Sequence, residues 1–150
     1  MNSTKLSPET IREAADEAGF DIVRFGPADP GDHGDRFADW IDQGRHGEMD
    51  YLNKNQERIV NPRTWRPEAR SAISAGVDYG GPPGELPGGG RIARYATGRD
   101  YHRWLKKKVM KLRSNLAQMG MPEESMHGGT DALPVLERAL AVRAGVGFLA

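Results

Sequence analysis

Positively charged side chains are concentrated in one stretch, residues 91–113, which we call the basic segment. It carries nine lysines and arginines against one acidic residue, Asp100, and so a net charge of +8 in a chain whose formal net charge is zero. Such a local excess attracts a phosphate backbone. Three aromatic side chains among the cations could stack on bases: Tyr95, Tyr101 and Trp104. The alternative, which the residues alone favour, is a solvated helix face with Lys106, Lys107 and Lys111 opposite an apolar stripe.

A single carboxylate, Asp131, stands out after Gly128 and Gly129 and before a predicted helix. Glycines permit close approach of a ligand to the backbone, and an aspartate whose pKa is raised by burial can act as a general acid. The alternative is an ordinary helix N-cap, a frequent role of aspartate. A lone aspartate favours the cap.

Residues 94–102 (RYATGRDYH) form the densest polar and aromatic cluster of the chain. Such a loop is typical of a binding site. The alternative is a loop and helix cap in which Asp100 caps a helix that begins at Tyr101. The residues leave both interpretations open.

Composition excludes several kinds of site. The 150 residues include no cysteine, so disulfides, thiolate nucleophiles and cysteine-ligated iron–sulfur clusters are impossible within them. The four histidines are scattered, and we predict no metal site. No long apolar run predicts a membrane-spanning helix, and the polar N-terminus lacks a secretory signal, so we expect a cytoplasmic protein. The sequence gives no oligomeric state.

The elements that must position these residues follow from periodicity, caps and breakers. Helices are predicted from Ser7 to Gly19, around Phe37–Gly44, over Tyr101–Met119 and from Pro134 to Gly145, with a short helical or irregular stretch at 47–58. Strands are predicted at Phe20–Phe25, Ser71–Tyr79, Arg91–Thr97 and Ser125–Gly129. Residues 26–34 and the Gly- and Pro-rich residues 80–90 are predicted loops, the latter a mobile loop or lid without the P-loop pattern. We expect an α+β (mixed α/β) fold, a small sheet flanked by helices, in one domain over residues 1–150. The apolar ending GVGFLA indicates a fold that continues beyond Ala150.

Five segments, in order, resemble the epoxyqueuosine reductase family. They are FDIVRFGPAD at 20–29, HGEMDYL at 46–52, ERIVNPRTWRPEARSAIS at 57–74, RYATGRDYH at 94–102 and DALPVLERALAVRAGVGF at 131–148. The resemblance implies the N-terminal domain of a reductase that converts epoxyqueuosine to queuosine at the wobble position of tRNA. It also implies cobalamin, two 4Fe–4S clusters on a downstream ferredoxin-like domain that this chain lacks, a monomer, and a cobalamin fold like that of reductive dehalogenases.

The resemblance also assigns residues. Asp131 matches the family's catalytic aspartate, the proton donor as the epoxide oxygen leaves. Arg58 and Ala93 match positions beside the cobalamin, where Asp131 also lies. Residues expected at the substrate or tRNA are Arg94, Tyr101, His102, Lys106 and Lys107.

Three hypotheses follow. The first is that the complete protein is the reductase, with Asp131 as acid. The second is a module that binds tRNA or cobalamin without chemistry, which the missing cysteines favour. The third is a cobalamin-dependent relative that reduces another substrate, against which the basic segment argues.

Overall fold

The computed structural model describes residues 6–81 and 84–149, and the chain divides into two compact units. The first unit comprises residues up to Asp21 and residues 76–130. The second comprises residues 22–75 and the residues from Asp131 onward. Helices and short antiparallel strands are mixed in the chain, which confirms the predicted α+β class.

The first unit is built on the packing of α1 (Pro8–Glu17) against α5 (Tyr101–Gln118). Ser7 caps α1 by accepting the Thr10 N–H at 3.1 Å, as its position before Pro8 predicts. Two small residues of α1, Ala14 and Ala15, are fully buried. The buried side chains of α5 are Leu112 and Leu116, both on the predicted apolar stripe. Both helices are therefore confirmed.

A short hairpin with two residues in each strand precedes α5. Strand β3 (Gly84–Glu85) pairs antiparallel with β4 (Arg91–Ile92), with Gly84 opposite Ile92. The prediction that residues 80–90 contain no regular structure was therefore wrong at 84–85; positions 82–83 lie outside the described residues. The strand predicted over Arg91–Thr97 is shorter, because a 3-10 turn at Arg94–Ala96 ends it.

Beyond α5 the predicted strand Ser125–Gly129 was wrong. A 3-10 turn spans Glu123–Ser125, and the described residues 126–129 are irregular. A strand needs a neighbour to satisfy its backbone groups, and none pairs with this stretch.

The second unit pairs β1 (Ile22–Pro27) with β2 (Ser71–Gly76). Three helices lie between them in the chain: α2 (Asp32–Asp42), α3 (Asp50–Lys54) and α4 (Gln56–Val60). The helix α2 packs on α4, with Ile41 and Ile59 buried. Helix α2 begins inside the predicted loop 26–34, and β1 lies two residues later than predicted, so both boundaries are corrected.

The last helix, α6 (Glu137–Arg143), packs against β1. A Cβ atom on Gly26 of β1 would lie 3.1 Å from the backbone nitrogen of Ala144, so glycine permits this close approach. Ala139 and Leu140 are the buried residues of α6. The helix begins three residues later than the predicted Pro134. No described helix is long and apolar enough to cross a membrane.

Candidate functional site

Asp131 lies in an unusual backbone conformation. Its φ of 53° makes it the one residue other than glycine with a positive φ in the described parts of the chain. Left-handed backbone costs an ordinary L-residue about 1–2 kcal/mol, somewhat less for aspartate. Such strain persists where the surroundings enforce it, and it is often found at functional sites. The conformation leaves Asp131 exposed at the surface of the second unit.

The side chain of Glu137 holds this turn. The Oε1 atom of Glu137 accepts the Asp131 N–H at 3.1 Å, across six positions of the chain. Glu137 is the first residue of α6, and the cap position belongs to Leu136, which provides no side-chain cap. Asp131 is therefore not the N-cap of α6, and that interpretation of the sequence was wrong.

The pair is also coupled electrostatically. Burial raises the pKa of the half-buried Glu137, and the negative charge of Asp131 raises it further, while the hydrogen bond from the Asp131 N–H opposes the shift. Glu137 therefore holds its proton to a higher pH than a free glutamate. Two neighbouring carboxyl groups, one half-buried and one exposed, are a frequent basis of acid chemistry.

The cluster at residues 94–102 is brought together at the start of α5. Asp100 caps the helix, because its Oδ1 accepts the His102 N–H at 3.0 Å, and the same oxygen lies 2.7 Å from His102 Nδ1. The side-chain and backbone hydrogen bonds of His102 lower the pKa of Asp100. The predicted cap is thus confirmed. The ring of Tyr101 stacks on His102 with centroids 4.1 Å apart and meets Tyr95 edge-on at 6.0 Å.

The basic segment divides into two groups of cations. Lys108 Nζ donates to the Gly19 carbonyl and Lys111 Nζ to the Glu17 carbonyl, so both lysines bind the C-terminal end of α1. Arg113 lies 3.5 Å from the Glu123 carbonyl. These three side chains help to hold the fold of the first unit.

The remaining cations of the basic segment are exposed. They are Arg91, Arg94, Arg99, Arg103, Lys106 and Lys107. Exposed aromatic rings accompany them, Tyr95 at 56% and Trp104 at 47% of their surface. We call these eight residues the exposed cationic surface. Aromatic faces among unburied cations are the combination that single-stranded nucleic acids bind.

The residues predicted to contact cobalamin are exposed. Arg58, on α4, places its guanidinium 5.7 Å from the ring centroid of Trp65. Ala93 precedes the 3-10 turn at Arg94–Ala96. Arg58 and Asp131 belong to the second unit and Ala93 to the first. Within the described residues no three His, Cys, Asp or Glu side chains converge as metal ligands.

Sequence reasoning missed Glu137. A glutamate at the start of a helix normally indicates only a favourable interaction with the helix dipole. Its contact with Asp131 depends on a turn through a positive φ at a residue other than glycine, for which the sequence has no signal. It also missed that Lys108 and Lys111 bind α1.

Comparison with known proteins places these features in a family. Residues 60–131 match the family model described as "Epoxyqueuosine reductase QueG, DUF1730", a match that ends on Asp131. Curated epoxyqueuosine reductases are similar over nearly the whole chain. The Pseudomonas aeruginosa protein is 31% identical over 94% of this chain and 40% of its own length. The Vibrio cholerae protein is 32% identical over 92% and 39%, and the Escherichia coli K12 protein 29% over 93% and 38%.

The chain spans about two fifths of the length of these relatives. No solved structure matches it significantly. The predicted resemblance is confirmed by both kinds of match, which together cover the Asp131 turn and the basic segment. The chain is thus similar to the epoxyqueuosine reductase family over both of its candidate sites.

Proposed function

We propose that the polypeptide containing this chain reduces epoxyqueuosine to queuosine in tRNA, and that Asp131 is its proton donor. The observation that carries the proposal is the Asp131 turn, in which a carboxyl group is held at the surface by a strained, hydrogen-bonded backbone. Sequence similarity supports the reaction, since the similar curated proteins are named epoxyqueuosine reductases.

The chemistry requires an acid. Converting an epoxide to an alkene releases its oxygen as water, which consumes two electrons and two protons. A carboxyl group at Asp131 would protonate the oxygen as its first bond to carbon breaks, which leaves a hydroxyl group, and a second proton from solvent would complete the water that departs as the second bond breaks. The side chain is exposed, so a substrate can approach it.

The electrons would come from cobalamin, which the resemblance implies. When bound, reduced cobalamin supplies electrons to the carbon–oxygen bond. Arg58 suits such a cofactor, because its exposed guanidinium offers N–H donors to amide and phosphate oxygens and is kept in place by the Trp65 ring. Ala93 would contribute its exposed backbone. The 4Fe–4S clusters need cysteine ligands from outside these 150 residues, because the chain has none.

The exposed cationic surface would bind the tRNA. Its six cations face solvent, whereas the other three cations of the basic segment contact backbone carbonyl groups. Tyr101 and His102, stacked on one another, offer a ring surface beside Arg94 for an unstacked base. Because tRNA is the proposed substrate, a cytoplasmic location is part of the proposal.

A second function is binding of tRNA without catalysis. The six solvent-exposed cations of the exposed cationic surface favour it. The exposed cationic surface serves both functions equally, so only the Asp131 turn separates them.

The test replaces Asp131 by Asn in the natural polypeptide that contains this chain. Nucleosides from tRNA of the complemented cells are then separated, and queuosine and epoxyqueuosine are quantified by mass spectrometry. We expect epoxyqueuosine to accumulate while tRNA affinity is unchanged. Queuosine at the wild-type level would refute the role of Asp131, and no queuosine from the wild-type protein would favour the binding function.

A further inference from the structure

Asp131 and Glu137 are joined by a hydrogen bond at the surface of the second unit. The Glu137 side chain extends back from the first turn of α6 to the Asp131 peptide, so residues 132–136 are enclosed between two bonded ends. The Asp131 backbone is thereby held at a φ of 53°. Glu137 is half-buried, whereas Asp131 is exposed. The exposed Asp131 residue therefore faces solvent, and the half-buried Glu137 side chain accepts its backbone N–H.

We propose that Glu137 is a positioning residue for Asp131: by accepting the Asp131 N–H it holds the Asp131 peptide in its positive-φ turn, and it thereby fixes the direction in which the exposed carboxyl group is presented. The proposal rests on the proposed function, in which Asp131 is the acid. It deepens that function by naming the residue that orients the acid.

The electrostatics of the pair agree with this contact. Burial, then the charge of Asp131, raise the pKa of Glu137, and the hydrogen bond that Glu137 accepts from the Asp131 N–H lowers it. The carboxyl group that supports the turn is therefore coupled to the charge of the exposed one.

Other charged groups near α6 are few. The strand packed against α6 is β1, whose charged residue is Arg24, and its guanidinium donates to the Val23 carbonyl at 3.0 Å. On α6 itself lie Arg138 and Arg143, and Arg143 is 3.5 Å from Asp29. The charged group that raises the pKa of Glu137 is Asp131.

The position of the acid has a consequence for the reaction. A general acid transfers its proton only within hydrogen-bond reach of the oxygen that receives it. Loss of the contact with Glu137 would release the Asp131 turn, so the carboxyl group would no longer keep one direction.

Two variants isolate this hydrogen bond. Glu137→Gln keeps an oxygen that accepts the Asp131 N–H, whereas Glu137→Leu has no acceptor. If Glu137 acts through this hydrogen bond, the glutamine variant behaves as wild type and the leucine variant loses activity.

The experiment measures the natural polypeptide as wild type, Glu137→Gln, Glu137→Leu and Asp131→Asn. With epoxyqueuosine-containing tRNA we expect Glu137→Leu to lower kcat about ten- to a hundredfold with little change in KM, and Glu137→Gln to keep kcat within about threefold of wild type. The Asp131→Asn variant should be inactive. An active Asp131→Asn variant would refute the proposed function itself, whereas an inactive one beside a Glu137→Leu variant with wild-type kcat, or beside a glutamine variant as impaired as the leucine variant, would overturn only the proposal for Glu137.

A second measurement does not depend on activity. In protein labelled with nitrogen-15, the Asp131 amide should exchange with solvent more slowly in wild type and Glu137→Gln than in Glu137→Leu. Equal exchange in all three proteins would show that Glu137 does not hold this amide, and it would overturn the proposal even if no reaction were detected.

Discussion

Exchanging Lys106 and Lys107 for glutamine is expected to weaken tRNA binding without weakening the fold. Both side chains are exposed, on the helix that carries Leu112 and Leu116 into the core. Each phosphate contact contributes about 0.7 to 0.9 to the slope of log affinity against log salt, so the double variant should lower that slope by about 1.4 to 1.8. Over a fourfold range of salt the difference amounts to about tenfold in affinity.

The same helix offers a matched control. Glutamine at Lys108 and Lys111 removes the same charge, but these lysines bind the carbonyl groups of Gly19 and Glu17. We expect this pair to cost about 1 kcal/mol of unfolding free energy, because cations stabilise a helix C-terminus and exposed pairs are screened by solvent. Its effect on the salt slope should be smaller than that of the first pair.

Fluorescence anisotropy of labelled tRNA at several salt concentrations, with urea unfolding of each protein, separates the two effects. If the two double variants lowered the slope equally, α5 would act on tRNA only through its total charge. If the Lys106–Lys107 variant bound as wild type does, the exposed cationic surface would not be the tRNA-binding surface.

Three further predictions concern the second unit. Asp131→Gly should abolish queuosine formation. It should leave the free energy of unfolding equal or up to about 1 kcal/mol higher, because glycine adopts a positive φ without strain. A clear loss of stability would contradict the backbone strain at Asp131. Gly26→Ala should lower stability by about 1–3 kcal/mol, since its Cβ would lie 3.1 Å from the Ala144 nitrogen, whereas Gly147→Ala, with open space around it, should not. Because folding raises the pKa of Glu137, its stabilising effect is complete below the ordinary value of about 4.5 and is lost as pH rises through the folded value. Denaturant unfolding across that range should therefore show wild type losing stability relative to Glu137→Gln, and parallel pH profiles would refute the shift.

The elements that were predicted correctly depend on local chemistry. Ser7 and Pro8 fix the start of α1, and the stripe through Leu112 and Leu116 fixes the buried face of α5, because caps and periodicity act within a few residues. The hairpin of Gly84–Glu85 with Arg91–Ile92 was missed because pairing register is set between segments. The strand predicted at Ser125–Gly129 failed for the same reason, as a strand-like composition does not provide a partner.

The roles of the side chains in the basic segment also depend on contacts between distant parts of the chain. The nine cations of residues 91–113 are indistinguishable by type and by net charge, and only the packing of α5 on α1 separates Lys108 and Lys111 from their exposed neighbours. The basic segment is therefore neither wholly a solvated helix face nor wholly a binding surface. Part of the basic segment holds the first unit together, and part is left free to meet a polyanion.

The conformation of Asp131 is the strongest argument that its side chain matters. A glycine at this position would adopt a φ of 53° without cost, and two glycines precede it in the chain. An aspartate there costs backbone energy, does not cap α6, and adds negative charge beside a half-buried carboxyl group whose pKa it raises. None of these effects stabilises the fold. What the aspartate adds is an exposed carboxyl group, fixed by its own backbone N–H and coupled to a second acid, and that is what proton transfer to a leaving oxygen requires.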